Sequence, residues 1–472
     1  MLSPSVLKLK RLPSIKQTLE MSRPAYRGTL TLFNGHETTA MTNVRLNLTI
    51  TDTEGKTANE KEFTVTVESL DTFAGEQQLP GGWTLGANQT GQATVLFIPT
   101  GQAAPDGPKD YTFGGTLSCI DPYSGQELTL PLNPTTFTVQ PLPELELTYL
   151  MQRDVYGDDP LTEGIVEPMA PAEFALIINN KGNGDAKNVR IVTEQPKIVE
   201  NDKGLLIDFD IVGSQVNGEE VCLVLGQQSI TNPFGTIAAH SQTYAQWWLT
   251  STLLGHFISY EVEANHKTSY GNSDLSLISK VAIHEMIHRF TPIYGQKRAW
   301  IVNDTEDEND QPDVVYLSDA TTQPLHTASG SAQKLNDNSY QLTINTVQAG
   351  WNYGSVADPT DGHQEIAQIV RQSDGQEIPL DNVWQTDRTL RDSQEWLYEH
   401  RLHFVVNTDG ASETYVVRFK DASSDVKPLI ANTASNDVLF DLQGRMIKRH
   451  PSVIGRLSKG IYIRNGKKTV VK

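Results

Sequence analysis

The chain has 472 residues, 38% of them hydrophobic and 8% aromatic, with a formal charge of −19. That length exceeds one ordinary core and implies three or four domains, each with enough apolar material to bury. The negative charge argues against nucleic acid, whose phosphates need Lys and Arg, and disfavours anionic membrane surfaces.

The first residues, MLSPSVLKLKRLPSIKQ, carry positive charge but no continuous apolar stretch, so no signal peptide is visible. No run of eighteen apolar residues occurs, so no transmembrane helix is expected. Strand patterns follow at once. Val44, Leu46, Leu48 and Ile50 alternate with Arg45, Asn47 and Thr49, and Phe63, Val65 and Val67 alternate with Thr64 and Thr66. Leu145, Leu147 and Tyr149, then Ile258, Tyr260 and Val262, repeat the pattern. Period-two alternation puts one face in a core and the other in water, and the turns at 80–82, 181–184 and 270–272 give the short spacing of β-sandwiches. The best helix candidate, Thr386 to His400, is short. Cys119 and Cys222 are about a hundred residues apart, which argues against a disulfide framework, and two cysteines cannot build a cysteine-rich zinc site.

The stretch GTLTLFNGHETTAMTNVR (28–45) resembles EFALIINNKGNGDAKNVR (173–190), with Asn34 to Asn43 spaced as Asn179 to Asn188. Shared strand–turn–strand grammar explains this as well as duplication does. Proline at 141 and 143 and at 292 marks joints. The expected organisation is a β-sandwich at 14–140, a second at 144–291, a β-rich third module at 294–420 with fibronectin III-like character, a polar linker at 421–436, and a small terminal module at 437–472.

His284-Glu285-Met286-Ile287-His288 spells H-E-x-x-H, the zinc metallopeptidase motif. The chemistry needs a helix that aims both histidines at one metal, with the glutamate as general base and a third ligand elsewhere. Ile278, Val281, Ile283 and Ile287 are β-branched and favour strand, and Pro292 stops any helix soon afterwards. A metzincin extension fails at Thr291 and Tyr294. Glu308, at the distance of a thermolysin-like third ligand, falls in a loop-forming run. The expectation is a closing strand, with Val281, Ile283 and Ile287 on one face and Ala282, His284, Met286 and His288 on the other. No metal is assigned; zinc at His284, Glu285 and His288 is the alternative.

Other candidates are weaker. Asn303 to Asp310 is rich in carboxylates and could hold calcium, but it lacks EF-hand spacing and reads as a solvated loop. His400 and His403, with Glu395 and Glu399, read as surface residues. Trp247 and Trp248 alternate across a strand, so one faces out. Trp248, and Trp351 and Tyr353 on an expected loop, are possible binding aromatics for a sugar or an interface. No phosphate loop, G-x-S-x-G elbow or Cys/His nucleophile pair occurs.

The C-terminal stretch VLFDLQGRMIKRHPSVIGRLSKGIYIRNGKKTVVK (438–472) resembles the C-terminal sorting domain of the Bacteroidetes type IX secretion system. The matching residues include Asp441, Gly444, Arg445, Gly460, Tyr462, Lys467 and Lys468. The resemblance implies export through outer-membrane secretion machinery, to a secreted or surface-anchored state. Such proteins enter the periplasm by a signal peptide, so the chain is expected to be the tail of a longer product. Residues 174–189 are similar to CARDB-type immunoglobulin-like modules of large Bacteroidales surface proteins. The reading is an all-β protein of tandem immunoglobulin-like sandwiches with a small sorting domain. It is exported and non-catalytic, without a cofactor, and it scaffolds or presents a site for a protein or glycan. The alternatives are a zinc metallopeptidase and the accessory part of a larger secreted enzyme.

Overall fold

The computed structural model describes residues 15–58, 60–158, 166–167, 169–195, 199–200, 206–223, 227–256, 262–266, 275–293, 297–304, 311–345, 348–387, 389–391, 395–397, 399–420, 439–440, 446–448, 460–464 and 467–471. The described elements are nearly all strand, as the alternation required. Before the proline joint at 141–143 lie β1 (Ile15–Glu20), β2 (Tyr26–Asn34), β3 (Met41–Asp52), β4 (Phe63–Asp71), β5 (Gly81–Leu85), β6 (Gln89–Pro99), β7 (Lys109–Ile120), β8 (Glu127–Pro131) and β9 (Thr135–Val139). The second unit holds β10 (Leu145–Gln152), β11 (Asp154–Val155), β12 (Ala172–Asn180), β13 (Ala186–Glu194), β14 (Val199–Glu200), β15 (Leu206–Ile207), β16 (Phe209–Val216), β17 (Glu219–Glu220), β18 (Ser229–Ile237), β19 (Gln242–Ser251), β20 (Gly255–His256), β21 (Val262–His266) and β22 (Ile278–Phe290). The third holds β23 (Ala299–Asn303), β24 (Val314–Leu317), β25 (Thr322–Thr327), β26 (Ser329–Asn336), β27 (Ser339–Asn345), β28 (Gly350–Ala357), β29 (Ile366–Arg371), β30 (Glu377–Ile378), β31 (Val383–Thr386), β32 (Thr389–Arg391), β33 (Glu395–Leu397), β34 (Arg401–Thr408) and β35 (Glu413–Phe419). Last come β36 (Leu439–Phe440), β37 (Met446–Lys448), β38 (Gly460–Arg464) and β39 (Lys467–Val471), which form a four-stranded sheet.

The first two units repeat one plan. In the first, β2, β6 and β4 form one sheet and β5, β3 and β7 run through the other; in the second, β12, β19 and β16 and then β18 and β13 take the same places in the same chain order. The shared device is an asparagine at the end of β2 and of β12. Asn34 Nδ2 donates to the carbonyls of Thr39, Leu85 and Gly86 at 3.0–3.1 Å, and Asn180 Nδ2 to those of Gly184, Ile237 and Ala238 at 2.8–3.2 Å. Asn43 and Asn188, at φ 52° and 54°, then bulge the following strand at matching points. Asparagine tolerates this left-handed conformation better than most residues. The equivalent of Asn34 is thus Asn180, and the second turn is one residue shorter than the Asn179 spacing implies.

Each sandwich closes on its own core. Trp83 is fully buried with Val44, Leu85 and Phe97 in the first, and Trp247 with Phe174 and Phe209 in the second. One such indole contributes about 4–6 kcal/mol at ~25 cal/mol per Å². β1 precedes the first sandwich but lies in the second, antiparallel to β13 and parallel to β21. Gln17, buried there, donates to Thr193 Oγ1 and accepts from Tyr149 Oη.

The joint expected at 291–294 is not a break in the sheet. β22 pairs with β10 on one side and β23 on the other, within one twelve-stranded sheet ordered β17, β16, β19, β12, β10, β22, β23, β24, β25, β28, β34, β31. The third unit packs β28, β31 and β34 of this sheet on a five-stranded sheet around Ile344, Phe404 and Val417. The helix expected at Thr386 to His400 is replaced by strand: β32 pairs antiparallel with β33. The β-branched Thr386 and Thr389 disfavour helix more than the short apolar spacing favours it. Among the described residues no helix is long and apolar enough to cross a membrane, and Cys119 and Cys222 are unpaired thiols.

Candidate functional site

The HEMIH segment is extended, in the middle of β22. A bulge falls between Met286, opposite Val302, and His288, opposite Ile301. Met286 packs with Leu150, Trp300 and Val302 on one side of the sheet, whereas Phe290 packs with Ala299 and Ile301 on the other. The extra residue therefore flips the alternation, and His284 and His288 face opposite sides. This corrects the expectation that both shared one face. His284 Nδ1 meets Asp304, and its Nε2 lies 3.2 Å from Tyr316 Oη. His288 Nε2 lies 3.0 Å from the carbonyl of Asp381, and its ring stacks on Trp384 at 3.7 Å. Glu285 faces Arg153, 3.8 Å away, and Asn303. The three motif side chains do not converge, and among the described residues no three His, Cys, Asp or Glu side chains do so.

His288 instead lines a cleft of about 890 Å³ between the second sandwich and the third unit. One wall is a ladder of near-parallel rings, with Trp384 5.1 Å from His403 and His403 6.1 Å from Tyr353. Strand pairing sets this ladder, because Trp384 on β31 sits directly opposite His403 on β34. Tyr353 Oη lies 3.1 Å from His403 Nδ1 and Thr386 Oγ1 lies 2.8 Å from its Nε2, so both ring nitrogens are engaged. Burial lowers His403 to about 4 and His288 to about 3, so both are neutral near pH 7.

Three arginines reach the cleft, each beside a carboxylate. Arg153 pairs with Asp154 at 3.2 Å, Arg289 with Glu173 at 3.0 Å, and Arg401 with Glu399 at 3.6 Å. Glu173 is the knot: its Oε1 accepts from Gln246 Nε2 at 2.7 Å and Trp300 Nε1 at 2.9 Å, and its Oε2 from Arg289. Burial pushes its carboxyl up, against the opposing pull of Arg289. Arg289 also reaches Asp381 at 3.5 Å, which ties the second sandwich to the third unit.

No model of a known protein family matches the chain, and no curated protein matches it. Its functional reading rests on residues and geometry.

The predicted aromatics divide. Trp247 is fully buried and stacked on Phe174, while Trp248 faces out and lines the cleft, with its ring laid over Gly213. Trp351 and Tyr353 lie on β28 and not on a loop, and are 6% and 8% exposed. Trp351 packs in the core beside Phe290, whereas Tyr353 lines the cleft. His403, expected at the surface, is buried; His400 and Glu399 line the cleft, and Glu395 lies on β33. Of the acidic run, Asn303 and Asp304 are engaged with Glu285 and His284, and 305–310 lie outside the described residues. Gly460 and Tyr462 lie on β38 and Lys467 and Lys468 on β39, whereas Asp441, Gly444 and Arg445 are outside the described residues. Sequence reasoning missed Arg153, Glu173, Arg289, Trp384 and Arg401. Arg289 directly follows the HEMIH segment, Arg401 lies between His400 and His403, and Glu173 opens the repeated stretch 173–190, but no local pattern marked any of them as a site residue.

Proposed function

We propose that the chain is a non-catalytic binding protein of the cell surface that holds a neutral, hydroxyl-rich ligand, a glycan, in the cleft between its second and third units. The carrying observation is the cleft wall, where aromatic rings stand beside arginines each already paired with a carboxylate. A carboxylate beside each arginine disfavours an anionic ligand, and the pairs offer fixed donors and acceptors for hydroxyl groups. Trp248 adds an apolar surface for the carbon face of a sugar ring. Two neutral histidines, His403 with both ring nitrogens engaged and His288 with Nε2 on the Asp381 carbonyl, favour binding over proton transfer. The resemblance of 438–472 to a sorting domain supports export to the surface, and the tandem sandwiches suit spacing a binding site away from it.

A glycan array followed by titration, run beside a protease and glycosidase screen, tests this. Expected are binding without turnover and a loss of affinity of roughly tenfold or more on Trp248→Ala. Turnover that disappears in a His288→Ala or His403→Ala variant would establish the enzymatic alternative.

A further inference from the structure

The two sandwiches differ at one edge, and this difference does not depend on how the cleft is used. In the second, β12 pairs with β19 on one side and β10 on the other. Its inward residues Phe174, Leu176 and Ile178 are 3% exposed or less. In the first, the equivalent β2 pairs with β6, and among the described residues no strand occupies its other side. Its inward residues pay for the missing neighbour in exposure: Leu30 and Leu32, at the positions of Leu176 and Ile178, are only partly buried.

Edge strands are normally guarded by Lys, Pro, a bulge or short length, because an open ladder invites another strand. β2 runs nine residues in unbroken register with β6, and YRGTLTLFN contains no Lys and no Pro. We propose that the outer edge of β2 is a receptor for an extended segment of another polypeptide, added antiparallel as β10 is added to β12. The second sandwich defines the chemistry of that segment. Leu145, Leu147 and Tyr149 of β10 sit opposite Asn180, Ile178 and Leu176 and are at most 1% exposed. The incoming strand carries apolar side chains at the alternate positions that face Leu32 and Leu30. Main-chain hydrogen bonds supply affinity and the alternating side chains supply selection.

The test uses the full chain and a capped synthetic peptide of residues 142–152 as probe, read by amide hydrogen exchange. The expected result is exchange over Tyr26–Asn34 slowed by roughly tenfold or more. The same peptide with alternate backbone nitrogens methylated has no effect. Absence of binding up to about 1 mM, or binding without protection of β2, would overturn the proposal. Protection that rises with the chain's own concentration and needs no peptide would assign the edge to self-association and overturn it equally.

Discussion

Replacing Glu173 with alanine tests the joint between the second and third units. Glu173 is 6% exposed, and its carboxylate takes hydrogen bonds from Gln246, Trp300 and Arg289. Alanine leaves the buried Trp300 N–H and the Gln246 amide without their acceptor. It also leaves Arg289 with only the longer contact to Asp381. Breaking a buried pair from one side costs about 3–5 kcal/mol, and each orphaned buried donor about 1–3 kcal/mol. These losses overlap, so the expected total is about 4 kcal/mol. Urea titration followed by tryptophan fluorescence reads it. The transition of the joined second and third units moves to lower urea with unchanged slope, and that of the first sandwich stays in place. Glu173→Gln keeps an acceptor for Trp300 and loses roughly half as much. A Glu173→Ala shift below about 0.5 kcal/mol, the range of ordinary surface substitutions, would refute the role given to this knot.

Stability should fall with acid in a defined window. His288 and His403 sit at about 3 and about 4 when folded against 6.5 when unfolded, so the unfolded chain takes up protons first. Their contribution is complete above pH 6.5 and is lost as pH falls, down to about 4 for His403 and about 3 for His288, by up to about 1.4 kcal/mol per unit for each ring. Urea midpoints in a pH series should show this slope, and His403→Gln should flatten it. Asn34→Ala and Asn180→Ala should each cost about 1–3 kcal/mol, the first lowering only the melting transition of sandwich one and the second that of the joined units. Gly184→Ala would set a Cβ 2.0 Å from the Pro141 carbonyl, so scanning calorimetry should show a loss of more than about 2 kcal/mol as the joint at 141–144 is pushed apart.

The sandwich grammar was legible because alternation and turn residues are local properties. The extended state of HEMIH was legible for the same reason, since β-branched residues crowd around it. What the motif does was not legible. One bulged residue, visible only once Met286 and His288 are paired with Val302 and Ile301, separates the two histidines onto opposite faces. The Trp351–Gly354 segment looks like a loop because Asn and Gly form turns. Inside β28, however, Asn352 spends its amide on the carbonyls of Gln348 and Gly350. Gly354 is there because a Cβ would lie 2.3 Å from the Ala328 carbonyl. The cleft joins residues more than two hundred positions apart, such as Arg153 and His403, and no local pattern carries that information. The placement of β1 in the second sandwich is hidden likewise, because its partners lie beyond the entire first sandwich.

The metal content of the purified chain, measured with and without chelator beside His284→Ala and His288→Ala variants, tests most directly whether the segment 281–290 is a structural strand. The predicted result is no stoichiometric zinc, and a melting temperature that added zinc or chelator does not move. One tightly held zinc per chain, lost in the His288→Ala variant, would contradict it.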